Sequence, residues 1–485
     1  MTILPLHPAE QSSPDALRSF LAQCRDAARC DGRPKLVSIS LAVDALDPLA
    51  VLESIFEPGE QHFYAERPGL ASALAGAEAV LTHEAHGPGR FDSVQAFIDQ
   101  TLADTIAVGD VAAPFGGPHF FAAFTFLDEV DPGEPFPAAR VFVPRWQVAR
   151  AGEVTTAVAN LVVGPDSDLD PLTARVWRAH AKFRNFEYRG TGVPPVGLSD
   201  QVKTHGRDAR ATPVTCREVG DYPTAVTRAL AYVGAGEFNK IVLARAQDVT
   251  ASAPFHPLRL LNGLRQRFPE CYSFSLSDGH GGSFIGASPE RLARVSQGWL
   301  ETEALAGSAP RGVGASEDAA LAAALRHSEK DRREHRLVLD SILRRLAPLG
   351  LKLEHAEVPG VCRLANVQHL HTPVRAPLTE GVRLLDAVAR LHPTPAVGGS
   401  PREAAVARIR ELEGFPRGLY AGALGWINAR GGGEFFVGLR SAFVRGSTAR
   451  VFAGAGIVAG STPEKEFAET ELKFQALLDA LLTGS

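Results

Sequence analysis

Apolar segments with the two-residue period of β-strands come in runs along this chain, and the helical patterns cluster between those runs. Lys35 to Val43, Phe120 to Leu127 and Val141 to Val143 read as strands, as do Lys240–Val249, Ser283–Ala287 and Gly433–Leu439 further on. Asp170–Lys182 reads as a helix, because Asp170 and Pro171 supply an N-cap and a preorganised first turn. Asp221 and Pro223 open another helix towards Val233, and Ser328–Leu346 has the length and period of a long one. Strands alternating singly with helices would build a doubly wound parallel sheet. Strands in runs favour an α+β fold with antiparallel sheets instead. No internal repeat has a solenoid period.

At ~150 residues per domain, the 485 residues would divide into about three units. The clearest break is a stretch rich in Gly, Pro and Thr, Arg189 to Val214, which has no apolar period. We expect residues 189–215 to be a flexible insertion between an N-terminal half, 1–188, and a second half, 216–485. Acidic residues number 55 against 50 basic ones, and 45% of residues are hydrophobic, which argues against disorder and against a basic nucleic-acid footprint. No apolar run approaches the ~20 residues of a membrane helix. The first residues carry no signal-peptide pattern, and the five cysteines include no CxxC pair. A cytoplasmic protein is the expectation, with no membrane or nucleic-acid partner.

Five places could carry chemistry. Gly454, Gly456 and Gly460 follow an apolar strand, Ala449–Phe452, and precede a helix for which Ser461 and Glu464 offer a capping box. Their spacing departs from the dinucleotide fingerprint, but small residues before a helix can present backbone N–H groups to a small anion. On that helix Glu466, Glu469 and Lys473 share a face, which is equally the pattern of a solvated charged surface. Glu334 could point inward from a second acidic helix, and two carboxylates from separate helices suit Mg²⁺. Lys240 shares a strand face with Val242 and Ala244, so it is either a partly buried base or an edge-strand guard. Glu290 sits where the strand SFIGA leaves its sheet, as a pocket acid or an ordinary turn carboxylate. His369 and His371 form an HxH pair without a third nearby ligand, a weak metal signal.

Together these segments resemble the chorismate-utilising enzymes, the family of anthranilate synthase component I, and within it the isochorismate synthase branch. The resemblance lies in FNKIVLARA (238–246), FIGASPERL (284–292), ETEALAGSAPRG (301–312), SEKDRREH (328–335), VQHLHTPV (367–374), LHPTPAVGGSP (391–401), FVGLR (436–440) and AGAGIVAGSTPEKEFAETELK (453–473). It covers about half of the chain in family order. It implies two large facing antiparallel sheets flanked by helices, with one site in the cleft. The motifs must close on that site from both ends of the second half, so one composite domain replaces the count of three.

The resemblance also implies roles. Lys240 would activate water for attack at C2 of chorismate, and Glu290 would protonate the departing C4 hydroxyl. Glu334 and Glu469 would hold Mg²⁺ against the ring carboxylate. Arg440 and the backbone near Gly454 and Gly456 would hold the enolpyruvyl carboxylate, Lys473 would add positive charge, and Gly307 and His369 would lie against the substrate. Amine-installing relatives typically carry Gln in place of Lys240, and one of them has a nucleophilic lysine in place of Ala306. Salicylate synthases usually read Thr in place of Ser308. The combination implies a reaction that stops at isochorismate, with menaquinone synthesis as the default route beside salicylate and siderophore routes. The rivals are a salicylate synthase, which also eliminates pyruvate, and a catalytically silent chorismate-binding protein. Either a monomer or a homodimer is compatible.

Overall fold

A computed structural model describes residues 1–4, 13–188, 214–364 and 367–483. The expected insertion lies outside the described residues, except for Val214 and Thr215, which open the strand Val214–Val219.

The architecture is α+β, two largely antiparallel sheets that share one strand and face each other, with Thr105–Gly109 running parallel to Lys35–Val43. The shared strand, Ala139–Ala151, runs along Ser72–Ala85 on one edge. Its other edge is divided, pairing with His119–Phe124 near its start and with Val154–Val163 near its end. One sheet continues from Ser72–Ala85 through His62–Arg67, Tyr272–Ser277, Gly282–Ser288, Ser441–Arg445 and Thr448–Val458 to Lys240–Ala251. The other continues from His119–Phe124 through Ala423–Asn428, Gly433–Val437, Arg291–Ser296 and Trp299–Pro310 to Val367–Pro377. Aromatic rings from the two sheets meet between them, with Phe436 stacked on Tyr272 at 4.8 Å and Phe121 on Phe63 at 4.6 Å. Such contacts tie the halves into one core.

Local rules account for most elements. The strand Lys35–Val43 has the expected bounds. Asp221 caps its helix by accepting the Thr224 N–H at 3.2 Å, and Ser328 caps Glu329–Leu346 by accepting the Asp331 N–H at 3.3 Å. Two caps differ from expectation. The helix Leu169–Tyr188 is opened by Asp168, which accepts the Asp170 N–H at 3.1 Å, while Asp170 pairs with Arg18. In the C-terminal helix, Pro463–Thr483, Thr462 accepts the Lys465 N–H, and the Ser461 hydroxyl instead accepts from Val458. The expected box on Ser461 and Glu464 is therefore one residue out of phase, because Pro463 takes the first helical position.

The larger correction concerns the glycines. Gly454 and Gly456 lie inside the strand Thr448–Val458, not in a turn after it. That strand pairs with Lys240–Ala251 residue by residue, from Lys240 opposite Val458 to Thr250 opposite Thr448. So long a ladder outweighs the weak strand preference of glycine, which marks close approach by other groups.

Two buried side chains complete the edge of the Lys240 strand. Between its pairings with Gly399–Ser400 and with Val214–Val219, Glu413 Oε1 accepts the Ala244 N–H at 2.6 Å and Arg417 Nη2 donates to the Val242 carbonyl at 2.7 Å. Glu413 and Arg417 also pair with each other. Lys240 thus stands on a strand flanked on both sides, and its alternative role as an edge guard falls away. No helix among the described residues is long and apolar enough to cross a membrane. The five cysteines are free.

Candidate active site

A cavity of about 170 Å³ opens on the face of the Lys240 strand; all ten residues to which the resemblance gives a role line it, whereas Gly460, Glu466 and His371 do not. Its size is below the ~300–1,000 Å³ of drug-sized pockets and suits a small ligand.

Lys240 is only 4% exposed, and its Nζ donates to Glu334 Oε1 at 2.7 Å. The glycines make room for this pair. A Cβ on Gly456 would come within 2.9 Å of Lys240 Cε and 3.4 Å of Nζ, and one on Gly454 within 2.7 Å of the Tyr420 hydroxyl. Opposite them, Val242 and Ala244 spend their N–H groups on Gly398 and Glu413, away from the glycine strand. The backbone groups of Gly454 and Gly456 therefore face the other edge, beyond the end of Ser441–Arg445. There the Gly454 carbonyl accepts from Lys473 Nζ at 2.8 Å, and Lys473 also donates to Glu469 at 2.7 Å. Outward N–H groups are thus available from a strand edge, where a turn was expected to supply them.

Glu290, between Gly282–Ser288 and Arg291–Ser296, is 8% exposed. Burial pushes its carboxyl up to about 7, and the negative charge of Glu303 adds to that. The Thr394 hydroxyl, donating at 3.4 Å, and Lys240 act in the opposite sense. Glu334 shows the opposite balance. Burial opposes its ionisation, but the Lys240 ammonium holds its carboxyl below the usual range, with Lys330 and Lys473 helping.

On the opposing wall, Gly307 has φ +75° and interrupts the register of Trp299–Pro310 with Val367–Pro377 between Ala306 and Ser308. The bulge turns Ser308 to the cavity, where its hydroxyl meets His369 Nδ1 at 2.9 Å. A Cβ on Gly307 would also press to 3.0 Å from Asp331 on the Glu334 helix. Burial pushes His369 down to about 4, reinforced by Arg440 and Lys473. His371 turns to Glu303 at 2.8 Å, so the HxH pair is divided between two tasks.

Arg440 has a left-handed backbone, φ +46°, uncommon outside glycine and frequent at functional sites. Its guanidinium meets the Cys271 thiol at 3.8 Å, and no carboxylate among the described residues forms a salt bridge with it. A cavity arginine in that condition is ready for an anion. Among the described residues no three His, Cys, Asp or Glu side chains converge as a preformed metal cluster. Glu334 and Glu469, hard oxygen donors on separate helices, nevertheless match the one or two carboxylates with which Mg²⁺ is held when substrate and water complete its shell. The wall also contains Tyr420, Leu439 and Val397, which no local pattern in the sequence marked out.

The sequence profile of the chorismate binding enzymes matches residues 19–482. The chain belongs to this chorismate-binding enzyme family. It is 36% identical over 470 residues to the salicylate biosynthesis isochorismate synthase of Pseudomonas aeruginosa, covering 96% of this chain and 94% of that one. It is 29% identical over 459 residues to the isochorismate synthase MenF of Bacillus subtilis, covering 92% and 93%. The solved structure of MenF, the menaquinone-specific isochorismate synthase of Escherichia coli, superposes with a TM-score of 0.72 at 26% identity, over 95% of this chain and 99% of that one. Anthranilate synthase component I of Streptococcus pneumoniae shares the fold, with a TM-score of 0.63 at 20% identity over 84% and 92%. The chorismate-binding fold thus extends over both halves of the chain.

Proposed function

We propose that this protein is a Mg²⁺-dependent isochorismate synthase. The observation that carries the reading is a buried carboxyl raised to about 7, Glu290, facing the same small cavity as the buried amine of Lys240. A carboxyl at that value is about half protonated at neutral pH and can act as a general acid. Lys240 acts as the base in its neutral amine form, reached by first giving up its ammonium proton, and takes a proton from water while the water oxygen bonds to C2 of the ring. The ring double bonds shift, the C4–O bond breaks, and the Glu290 proton goes to the departing oxygen, which leaves as water. One water enters and one leaves, so the conversion is an isomerisation.

Arg440, the outward N–H groups of Gly454 and Gly456, and Lys473 would hold the enolpyruvyl carboxylate. His369, largely neutral at physiological pH and bonded to Ser308, would pack against the ring beside Gly307. Glu334 and Glu469 would hold Mg²⁺, which when bound neutralises and anchors the ring carboxylate. Menaquinone synthesis is the route we propose, supported by full-length likeness to two MenF proteins. The full-length salicylate-biosynthesis relative makes salicylate the competing fate. Deleting the gene should deplete menaquinone and not salicylate.

Incubating the purified protein with chorismate and Mg²⁺ tests the activity. Isochorismate should accumulate without pyruvate. Pyruvate and salicylate released in step would make it a salicylate synthase, and unchanged chorismate a silent binder.

A further inference from the structure

We propose that Glu303 is a positioning residue for Glu290: clamped between the His371 imidazole and the Arg291 backbone N–H, its carboxylate holds the neighbouring side chain in the proton-donating form. This deepens the reading of Glu290 as the acid and rests on it.

The clamp is built from three separate strands. Glu303 stands on Trp299–Pro310, two residues before Leu305 of the cavity wall. Its Oε2 meets His371 Nε2 at 2.8 Å, and its Oε1 accepts the Arg291 N–H at 3.2 Å. Arg291 directly follows Glu290, so the second bond pins the backbone from which the acid projects. Arg291 is fixed in turn, its Nε donating to Glu434 at 3.0 Å and to the Tyr272 hydroxyl at 3.2 Å. The Arg291 N–H uses Glu303 as an acceptor, and the imidazole does the same when its Nε2 carries the proton, the condition that favours a carboxylate over a carboxylic acid. Burial opposes its ionisation, yet His371 and Arg291 hold its carboxyl below the ordinary value. A permanently charged carboxylate behind a second buried one raises the cost of ionising the second.

The other groups do not replace this effect. Lys240 faces Glu290 from its own strand and favours the ionised form, as does the hydroxyl of Thr394. Tyr420, buried on the loop before Ala423–Asn428, is a neutral phenol near Glu290. Facing Glu303 are Arg291, His371 and the Cys362 thiol. Among these neighbours of Glu290, Glu303 supplies the one negative charge.

The test is Glu303→Gln, which keeps the shape and an oxygen for the Arg291 N–H but removes the charge. The Glu290 carboxyl is titrated by infrared difference spectroscopy, its band assigned by its loss in Glu290→Gln. The midpoint should fall, because the like charge that disfavours ionisation has been removed. The alkaline limb of kcat/KM on chorismate should move down with it. If Glu303→Gln does not fold, His371→Leu serves. Without the imidazole the buried Glu303 carboxyl drifts towards neutrality, and the Glu290 midpoint should again fall. A folded variant with reduced kcat at every pH and an unmoved Glu290 midpoint would assign Glu303 a structural role and overturn the proposal. The infrared titration needs no turnover, so a wild type inactive on chorismate would defeat the functional reading separately.

Discussion

Replacing Gly456 with Ala should leave the protein folded and nearly inactive. The added Cβ would sit 2.9 Å from Lys240 Cε and 3.4 Å from Nζ, whereas comfortable carbon contacts begin near ~3.5 Å. The first contact is with the far end of a flexible side chain, so the lysine gives way and the strand does not. Restoring contact distance moves the amine by roughly 0.5–1 Å. A displacement of that order at a catalytic group can cost about 10²-fold in rate, equivalent to ~2.7 kcal/mol of transition-state stabilisation. The stability side is close to balanced. Alanine restricts the unfolded chain and stabilises by about 0.4–1 kcal/mol, which offsets the strain of moving one side chain. The expected signature is a thermal midpoint within a few degrees of wild type, with kcat for isochorismate formation down about a hundredfold. Gly263→Ala, with open space around its Cβ, is the matched control. Wild-type kcat in a folded Gly456→Ala protein would refute the argument that the glycine exists to place Lys240.

The remaining predictions concern neighbouring groups. Lys240→Ala and Glu290→Gln should each abolish turnover while circular dichroism shows an intact fold, and full activity in either would remove that residue from the mechanism. Glu290 also predicts a pH dependence of stability. Its folded value of about 7 lies above its ordinary 4.5, so the folded chain binds more protons between those values, and stability falls as pH rises through that window. At pH 8 Glu290→Gln should melt higher than wild type, by at most ~3 kcal/mol, with the gap closing below pH 4.5. Arg417→Met strands the buried Glu413 carboxylate and should cost about 3–5 kcal/mol in urea unfolding, while a neutral result would discount the pair. Chelation should stop turnover, and Glu469→Gln should raise the Mg²⁺ concentration needed for half-maximal rate. Turnover in excess chelator would discard the metal.

Much of the site was legible because its chemistry needs particular residue types at particular places. Lys240 opening an apolar strand, Glu290 leaving one and Glu334 on an acidic helix were local candidates whose alternatives stayed open, and the resemblance of their segments to the chorismate-utilising enzymes is what selected them. The glycines misled on conformation. Gly454 and Gly456 look like a turn to any rule based on propensity, and their extended form comes from a partner strand some two hundred residues earlier. Glu303 gave no signal at all, since its task depends on His371, 68 positions away, and on the backbone of Arg291. Tyr420 was missed for the same reason.

Hydrophobic period and capping residues were enough to specify the α+β class and the principal elements, because each of these depends on near neighbours in the chain, whereas the set of ten site residues came from the resemblance to the chorismate-utilising enzymes. The ionisation of those residues is a different matter. Glu290 and Glu334 are the same amino acid, and one is raised to about 7 while the other is held low. For Glu290 burial dominates and the charge of Glu303 adds to it, whereas for Glu334 the charge and hydrogen bond of Lys240, 94 positions distant, outweigh burial. Burial removes the water that would otherwise level the two, so the two carboxyls diverge once the sheets close over them.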